Sequence, residues 1–273
     1  MSHTKQNLLS PGELDDLIAL IESTLELCQK KFVDPRSGKG PSCLLSLRLH
    51  DDGSINGYYL PILNQWGWNE YDHIVYGDGC FSLPCSHEDT WHYLTGRREG
   101  SSERVLASKG NWKAVLGGIR VGQVFFVRDI SEYQGLGLEK HIQGGSMHRG
   151  PAFVKSMMQR SWEQPRLDHA PDTCPFCMGD VNLPVVRGDF IVFDNRFKPH
   201  PWHKVVVPSE QLLRRFPSDN NTGLLHPQVL SGMLKLLPEL WEQRKEPRRV
   251  QCGIHFGVLS GQTMAHPHLH ARQ

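Results

Sequence analysis

The chain has 273 residues, enough for a hydrophobic core in one large domain or two smaller ones. Its 30 basic and 29 acidic side chains leave a net charge of +1, so bulk charge favours neither polymeric nucleic acid nor a membrane surface as a partner. No apolar run is long enough to span a bilayer, and the N-terminus lacks the pattern of a signal peptide. Seven cysteines, an odd number, favour reduced thiols or metal ligands, so we expect a cytoplasmic location.

The first half is predicted to be a helix followed by a β-rich region. Residues 10–32 begin with Ser-Pro-Gly-Glu, which is typical of a helix start, and continue with leucine and isoleucine at helical spacing. Alternating apolar residues from Cys43 to about Ile130 predict strands. The Gly-rich stretch 131–151 indicates a loop or boundary, so we divide the chain into residues 1–150 and a second domain at residues 151–273.

The second half is predicted to contain strands and helices, which makes the whole an α+β protein. The runs GDFIVFDNRF, HKVVVP and CGIHFGVLS indicate three strands. Residues 208–217 predict a short helix, and the apolar spacing over 226–244 predicts one longer helix. The final stretch, TMAHPHLHARQ, is interpreted as a closing strand.

Three histidines in that stretch, His266, His268 and His270, carry the strongest chemical signal. Their spacing of two residues places all three imidazoles on one face of a strand. Imidazoles grouped in this way need polar partners, because unpaired polar groups are costly to bury. The alternative is a solvated histidine-rich tail, and the spacing alone does not decide between the two.

A second signal is the sequence Cys174-Pro-Phe-Cys177. Two thiols in a tight turn are typical of half of a tetrahedral zinc site. The alternatives are two buried thiols or a redox pair, although a redox motif would require a strand followed by a helix. Cys80, Cys85 and His87 form a weaker cluster that we interpret as structural.

Four landmarks follow one another in residues 174–273: CPFC, IVFDNRFKPHPWHKVVVP, a helix, and SGQTMAHPHLH. This order resembles the histidine-triad superfamily, which includes nucleotide hydrolases and the galactose-1-phosphate uridylyltransferase branch. The resemblance implies a nucleotide-binding α+β fold with an antiparallel sheet, and a nucleotide or nucleotide sugar as substrate. It does not extend to residues 1–150.

The resemblance also implies roles for individual residues, with His266, His268 and His270 as the catalytic triad. His268 would attack the α-phosphate and form a covalent nucleotidyl intermediate, while a backbone carbonyl fixes its other ring nitrogen. His270 would contact the phosphate or the leaving group. The implied nucleotide-binding residues, each of which has an alternative interpretation as a turn or cap residue, are Asp194 or Asn195 for the ribose, Gln262 for a phosphate oxygen, and Ser260.

In zinc-bearing members of the family, a structural Zn²⁺ is bound by the two cysteines, by the first triad histidine and by one further histidine. The first three positions correspond here to Cys174, Cys177 and His266. The fourth corresponds to Gln211, a poor zinc ligand. The substitutes that remain open are His203, Cys252, His255 and water.

After the triad the chain departs from the family pattern, because Ala271, Arg272 and Gln273 replace apolar residues. Another segment, or a second subunit in a homodimer, would then complete the site. The HPH motif resembles the transferase branch, whereas His270 resembles the hydrolase branch. We expect nucleotidyl transfer on a nucleotide diphosphate-type substrate; the alternatives are a histidine-triad nucleotide hydrolase and a zinc-stabilised nucleotide-binding module without catalysis.

Overall fold

The computed structural model describes residues 9–31, 42–62, 105–116, 123–128, 174–195, 201–218, 224–246, 249–257, 262 and 264–273. These residues form the helices Pro11–Lys31 (α1), Glu210–Arg215 (α2), Pro227–Leu234 (α3) and Leu237–Glu242 (α4). The strands of residues 42–127 are Ser42–Leu49 (β1), Ile55–Ile62 (β2), Val105–Lys109 (β3), Trp112–Leu116 (β4) and Val124–Val127 (β5). Those of residues 182–272 are Asn182–Arg187 (β6), Phe190–Asp194 (β7), His203–Pro208 (β8), Val250–Phe256 (β9) and Leu269–Arg272 (β10).

Helix α1 begins with a reciprocal cap. The Ser10 hydroxyl accepts a hydrogen bond from the Glu13 N–H at 3.3 Å, and the Glu13 carboxylate accepts one from the Ser10 N–H at 3.0 Å. Leu17, Ile18 and Ile21 are buried on its inner face. The helix predicted for residues 10–32 is therefore confirmed. No helix in the described part of the chain is long and apolar enough to cross a membrane.

The ten strands form one antiparallel sheet in the order β3-β4-β5-β2-β1-β9-β10-β8-β7-β6. Five of them come from residues 42–127 and five from residues 182–272. The two groups meet where β1 pairs with β9, from Cys43 opposite Phe256 to Leu49 opposite Val250. The predicted boundary at residue 150 lies outside the described residues, but the described parts on either side of it share this sheet.

Strand β9 shows how the sequence separates the two faces of the sheet. Because a strand has a period of two, alternate side chains point in opposite directions. One set is buried in the main core together with the inner faces of α1 and α3: Val250, Cys252, Ile254 and Phe256. The other set is half-buried and lines a cavity on the opposite face: Gln251, Gly253 and His255.

Two of the predicted elements are shorter than expected. The single helix predicted for residues 226–244 is wrong, because α3 ends at Leu234 and α4 begins at Leu237. Pro238 has no N–H to donate to the carbonyl of Leu234, and its ring would clash with that carbonyl in a continuous helix. The prediction that one strand carries His266, His268 and His270 is wrong, because the closing strand begins only at Leu269 and contains His270 alone; His266 lies in the bend before it.

Candidate functional site

The turn that begins at Cys174 places two thiols beside each other. The Met178 N–H donates to the Cys174 carbonyl at 3.0 Å, and the Asp180 N–H donates to the Pro175 carbonyl at 2.9 Å. These hydrogen bonds close the turn and confirm the prediction from the sequence. Cys174 is buried and Cys177 is half-buried at the surface of the site.

His266 completes a group of three metal-ligating side chains. Its Nδ1 lies 3.6 Å from the Cys174 Sγ and 3.3 Å from the Cys177 Sγ, and all three ligand atoms lie within 4.8 Å of one another. Its Nε2–H donates to the Pro208 carbonyl at 2.8 Å, which leaves the Nδ1 lone pair facing the thiols. Cys174, Cys177 and His266 could therefore hold a metal ion.

The surroundings of Cys177 favour its protonated thiol. Burial, followed by the neighbouring Cys174 and the negative charge of Glu210, raises the pKa of the Cys177 thiol to about 12. A thiol with such a pKa stays protonated near neutrality unless a positive charge stabilises its thiolate. Two sulfurs and one imidazole nitrogen are the donors that Zn²⁺ prefers in closed sites.

None of the four protein side chains considered for the fourth position belongs to this group among the described residues. Gln211 is exposed. Cys252 is buried in the main core, on the other face of the sheet. His203 bonds to a different histidine, and His255 lines the cavity next to that histidine. The described part of the chain therefore supplies three ligands.

His268 is held in one orientation by the backbone. Its Nδ1–H donates to the His266 carbonyl at 2.9 Å, which is the carbonyl contact expected from the resemblance. The ring is 6% exposed, and this burial lowers its pKa, so the imidazole is neutral near pH 7. With Nδ1 protonated, Nε2 carries the lone pair of a ring that lines the cavity.

His270 is bonded to His203. The Nδ1 of His270 lies 3.0 Å from the Nε2 of His203, and the Asn195 amide Nδ2 lies 3.3 Å from the Nδ1 of His203. The same amide nitrogen lies 3.2 Å from the Nε2 of His203. One of the two facing ring nitrogens, the Nε2 of His203 or the Nδ1 of His270, donates its hydrogen to the other. Burial, followed by the neighbouring His268 and His203, lowers the pKa of His270 to about 2.

The sequence analysis did not assign His203 to this network and considered it only as a metal ligand. The signal lies in the register of β8 and β10, which places His203 opposite Arg272 and therefore diagonal to His270. Such a register is a property of strand pairing, which the local sequence pattern does not give.

The predicted nucleotide-binding residues are not all brought together. Asp194 and Asn195 both line the cavity, with the Asp194 carboxylate 2.6 Å from Lys204 Nζ. Gln262 instead accepts from the Gly257 N–H at 2.7 Å and donates to the Ala265 carbonyl at 3.3 Å. It bridges Gly257 and Ala265 and is not among the described residues that line the cavity. The prediction for Ser260 and the cluster of Cys80, Cys85 and His87 lie outside the described residues.

The cavity has a volume of about 510 Å³, which is in the range of small-molecule sites. One end is apolar and includes Phe176, Val181 and Phe193. The ring of Phe176 meets the ring of His266 edge-on at a centroid distance of 5.5 Å and that of His268 at 5.7 Å. The turn that carries the two thiols therefore contacts both His266 and His268.

Comparison with known proteins gives no relative: no protein-family model, no curated protein and no solved structure matches this chain. The chemistry of the site therefore depends on the side chains and distances given above. These describe a neutral, buried histidine next to a histidine pair, beside a cavity of ligand size and a group of two thiols and one imidazole.

Proposed function

We propose that this protein is a nucleotidyl-transfer enzyme of the histidine-triad type, acting through a covalent bond between the Nε2 of His268 and the α-phosphorus of a nucleotide. The observation that carries the proposal is the orientation of His268. Its Nδ1–H is held by the His266 carbonyl, so the neutral ring presents the Nε2 lone pair to the cavity beside His270. The resemblance of residues 174–273 to the histidine-triad superfamily also supports a covalent nucleotidyl-histidine mechanism.

In the first step, the Nε2 lone pair of His268 forms a bond to the α-phosphorus, and the bond from phosphorus to the leaving oxygen breaks. The negative charge of the bound phosphates favours the imidazolium form of His270, and the leaving oxygen takes its Nε2 proton as it acquires negative charge. In this form the Nδ1–H of His270 donates to the Nε2 of His203, which leaves the Nε2–H for the substrate. Splitting one substitution into two easier ones is the advantage of a covalent intermediate.

In the second step, an acceptor oxygen attacks the α-phosphorus and the bond from phosphorus to His268 breaks. The acceptor is a phosphate or water, and in either case a proton of the acceptor passes to the Nε2 of His270, which becomes an imidazolium again. The products are a new nucleotide in the first case and a nucleoside monophosphate in the second. Because His270 can activate water, we expect measurable hydrolysis beside transfer.

The nucleoside fits the part of the cavity next to Phe176. A base would contact the apolar side chains of Phe176, Val181 and Phe193, since aromatic and aliphatic side chains are typical walls of ligand sites. Asp194 and Asn195 lie at the end of β7, where their oxygens can accept hydrogen bonds from ribose hydroxyls.

We further propose that the metal held by Cys174, Cys177 and His266 is Zn²⁺ in a structural role. Bound zinc would tie the turn that carries Phe176 to the residue whose carbonyl orients the nucleophile. The Nε2–H bond to Pro208 already sets the His266 ring for binding through Nδ1.

Nucleotide exchange tests the proposed function. The enzyme is mixed with a nucleotide sugar labelled at the α-phosphate, with and without a second sugar phosphate. We expect label to appear in a new nucleotide sugar when the acceptor is present and in nucleoside monophosphate when it is absent. Release of monophosphate that ignores the acceptor would make the protein a hydrolase. Absence of both reactions across uridine, adenosine, guanosine and cytidine donors would contradict the proposal.

A further inference from the structure

The cavity continues from His270 across β9 onto the first half of the sheet. In the strand register His270 lies opposite Gly253, Gly253 opposite Ser46, and Ser46 opposite Tyr58. All four residues line the cavity. Strands β1 and β2 therefore build one end of the cavity, although residues 1–150 lie outside the histidine-triad resemblance.

The floor of this end is open because of Gly253. A Cβ added there would meet nothing closer than the Leu45 carbonyl, at 3.8 Å, so a side chain would project into the cavity without a steric clash. From β10 to β1 the sheet spans two strand spacings, roughly 10 Å. That length accommodates a further phosphate-bearing group next to a phosphorus atom at His268.

A row of cationic and amide side chains borders the same end. Arg272 lies opposite Gln251, which lies opposite Arg48 in the next strand. The Arg272 Nη2–H donates to the Gln251 Oε1 at 3.2 Å, and the Gln251 Nε2–H points to the Ser46 Oγ at 3.5 Å. Arg272, Gln251 and Ser46 line the cavity.

The charge of this end is positive. Arg48 is 9% exposed, and its pKa is lowered by burial and by the neighbouring positive charge of Arg249. The acidic side chains among the described residues of the cavity wall, Asp180 and Asp194, belong to the opposite end, next to β6 and β7. Guanidinium groups in a partly enclosed cavity attract anions, and phosphate oxygens match their geometry.

We infer that Arg272, with Gln251 and Ser46, forms a subsite for the anionic group beyond the α-phosphate. In the proposed reaction this group is the β-phosphate of the leaving group in the first step and the acceptor phosphate in the second. The inference rests on the proposed function and gives the first half of the chain a role in it. It selects diphosphate-linked nucleotides over nucleotides with an uncharged leaving group.

The test compares two donors with the same nucleoside: a nucleoside diphosphate glucose and the nucleoside 5′-phosphoramidate. The quantity measured is the second-order rate constant for labelling of the protein by the nucleoside diphosphate glucose, divided by the rate constant for labelling by the phosphoramidate. In Arg272→Gln we expect this ratio to fall by at least about tenfold, because a charge-assisted contact to the second phosphate is lost. Arg272→Lys keeps the charge and should recover part of the ratio.

The matched control is Arg187→Gln. Arg187 lies on β6 at the far edge of the sheet and pairs with Glu239 at 2.7 Å. This variant is expected to keep the ratio of the unmodified protein. Thermal unfolding of all variants shows whether they fold alike.

A binding measurement separates the subsite from the proposed function. Calorimetric titration with inorganic pyrophosphate should give an affinity at least about tenfold weaker for Arg272→Gln than for the unmodified protein. If labelling occurs but the ratio is unchanged in Arg272→Gln, the subsite is wrong while the proposed function stands. If neither donor labels the unmodified protein, the proposed function fails, and equal pyrophosphate affinities would then overturn the subsite as well.

Discussion

His268 and His270 lie with their ring centroids 4.8 Å apart, and each ring is bonded through one nitrogen to a different partner. The Nδ1–H of His268 donates to a carbonyl, which leaves a lone pair on its Nε2. His270 is bonded through its Nδ1 to the Nε2 of His203. In the proposed mechanism His268 is the nucleophile and His270, as an imidazolium, is the acid.

His203→Phe tests the role of the histidine pair. It removes the contacts of the ring with Asn195 and His270 and retains its bulk, so His270 loses the partner that orients its ring through Nδ1. We expect turnover of a nucleotide sugar to fall about 100-fold, with KM changed less than about threefold. A nucleoside phosphate ester of p-nitrophenol, whose leaving group needs no proton, should be much less affected.

His226→Phe is the control for this variant, because His226 lies at the start of α3 and is not among the described residues of the cavity wall. An equal loss for both donors in His203→Phe would point to a general structural defect and would contradict the assignment of His203 as a positioning residue.

The lowered pKa of His270 predicts how stability depends on pH. Its pKa is lowered to about 2 in the folded protein, while the unfolded chain has the ordinary value near 6.5. Below pH 6.5 the unfolded state therefore binds a proton that the folded state does not, and stability falls as pH falls. From pH 7.0 to 5.5 this costs about 1 kcal/mol for one such group.

Urea unfolding at the two pH values measures this effect. The free energy of unfolding of His270→Gln should decrease by about 1 kcal/mol less than that of the unmodified protein over this interval. Equal decreases in both proteins would show that His270 is not held neutral by the fold.

At the scale of single elements, short sequence patterns predict the features that depend on contacts between residues close together in the chain. The cap of α1 and the turn at Cys174 follow from short sequence patterns, and both are present. The break between α3 and α4 is also predictable from the sequence, because Pro238 would lie in the interior of a continuous helix and remove one of its hydrogen bonds. Strand β6 was not predicted: it is an exposed edge strand without alternating burial, so no period of two marks it.

The turn and His266 predict a metal-dependent element. Protein purified without added metal should contain about one zinc per chain, and Cys174→Ser should remove it and lower the melting temperature, because a structural site contributes its binding energy to folding. Cys252→Ala also removes a buried thiol, but on the other face of the sheet, and should keep the zinc. Metal-free protein, or zinc retained in Cys174→Ser, would contradict the assignment; elemental analysis gives either result.

At the scale of the whole molecule, the pairing of β1 with β9 makes one sheet from two groups of strands. This pairing joins residues about two hundred positions apart. The resemblance could not predict it, because it covers only the chain from residue 174. Because of this pairing, Ser46 and Tyr58 of the first half line the cavity together with residues of the second half.

Leu47→Ala tests whether the sheet unfolds as a unit. Leu47 is 1% exposed in β1, opposite Cys252 of β9, and its truncation should lower the free energy of unfolding by about 3 kcal/mol. Hydrogen exchange should accelerate in β8 as much as in β5, because the strands share one core. Leu183→Ala, at a residue 69% exposed, should change stability by less than about 0.5 kcal/mol. Acceleration confined to the first five strands would show two independent units.

The central claim is that His268 becomes covalently nucleotidylated, and the most direct measurement is label retained by the denatured chain. The protein is incubated with a nucleotide sugar labelled at the α-phosphate, denatured and digested, and the labelled peptide is identified by mass spectrometry. We expect acid-labile label on His268, none in His268→Gly, and full labelling in the control His226→Gly. Absence of label on the unmodified chain, or label that persists in His268→Gly, would contradict the mechanism.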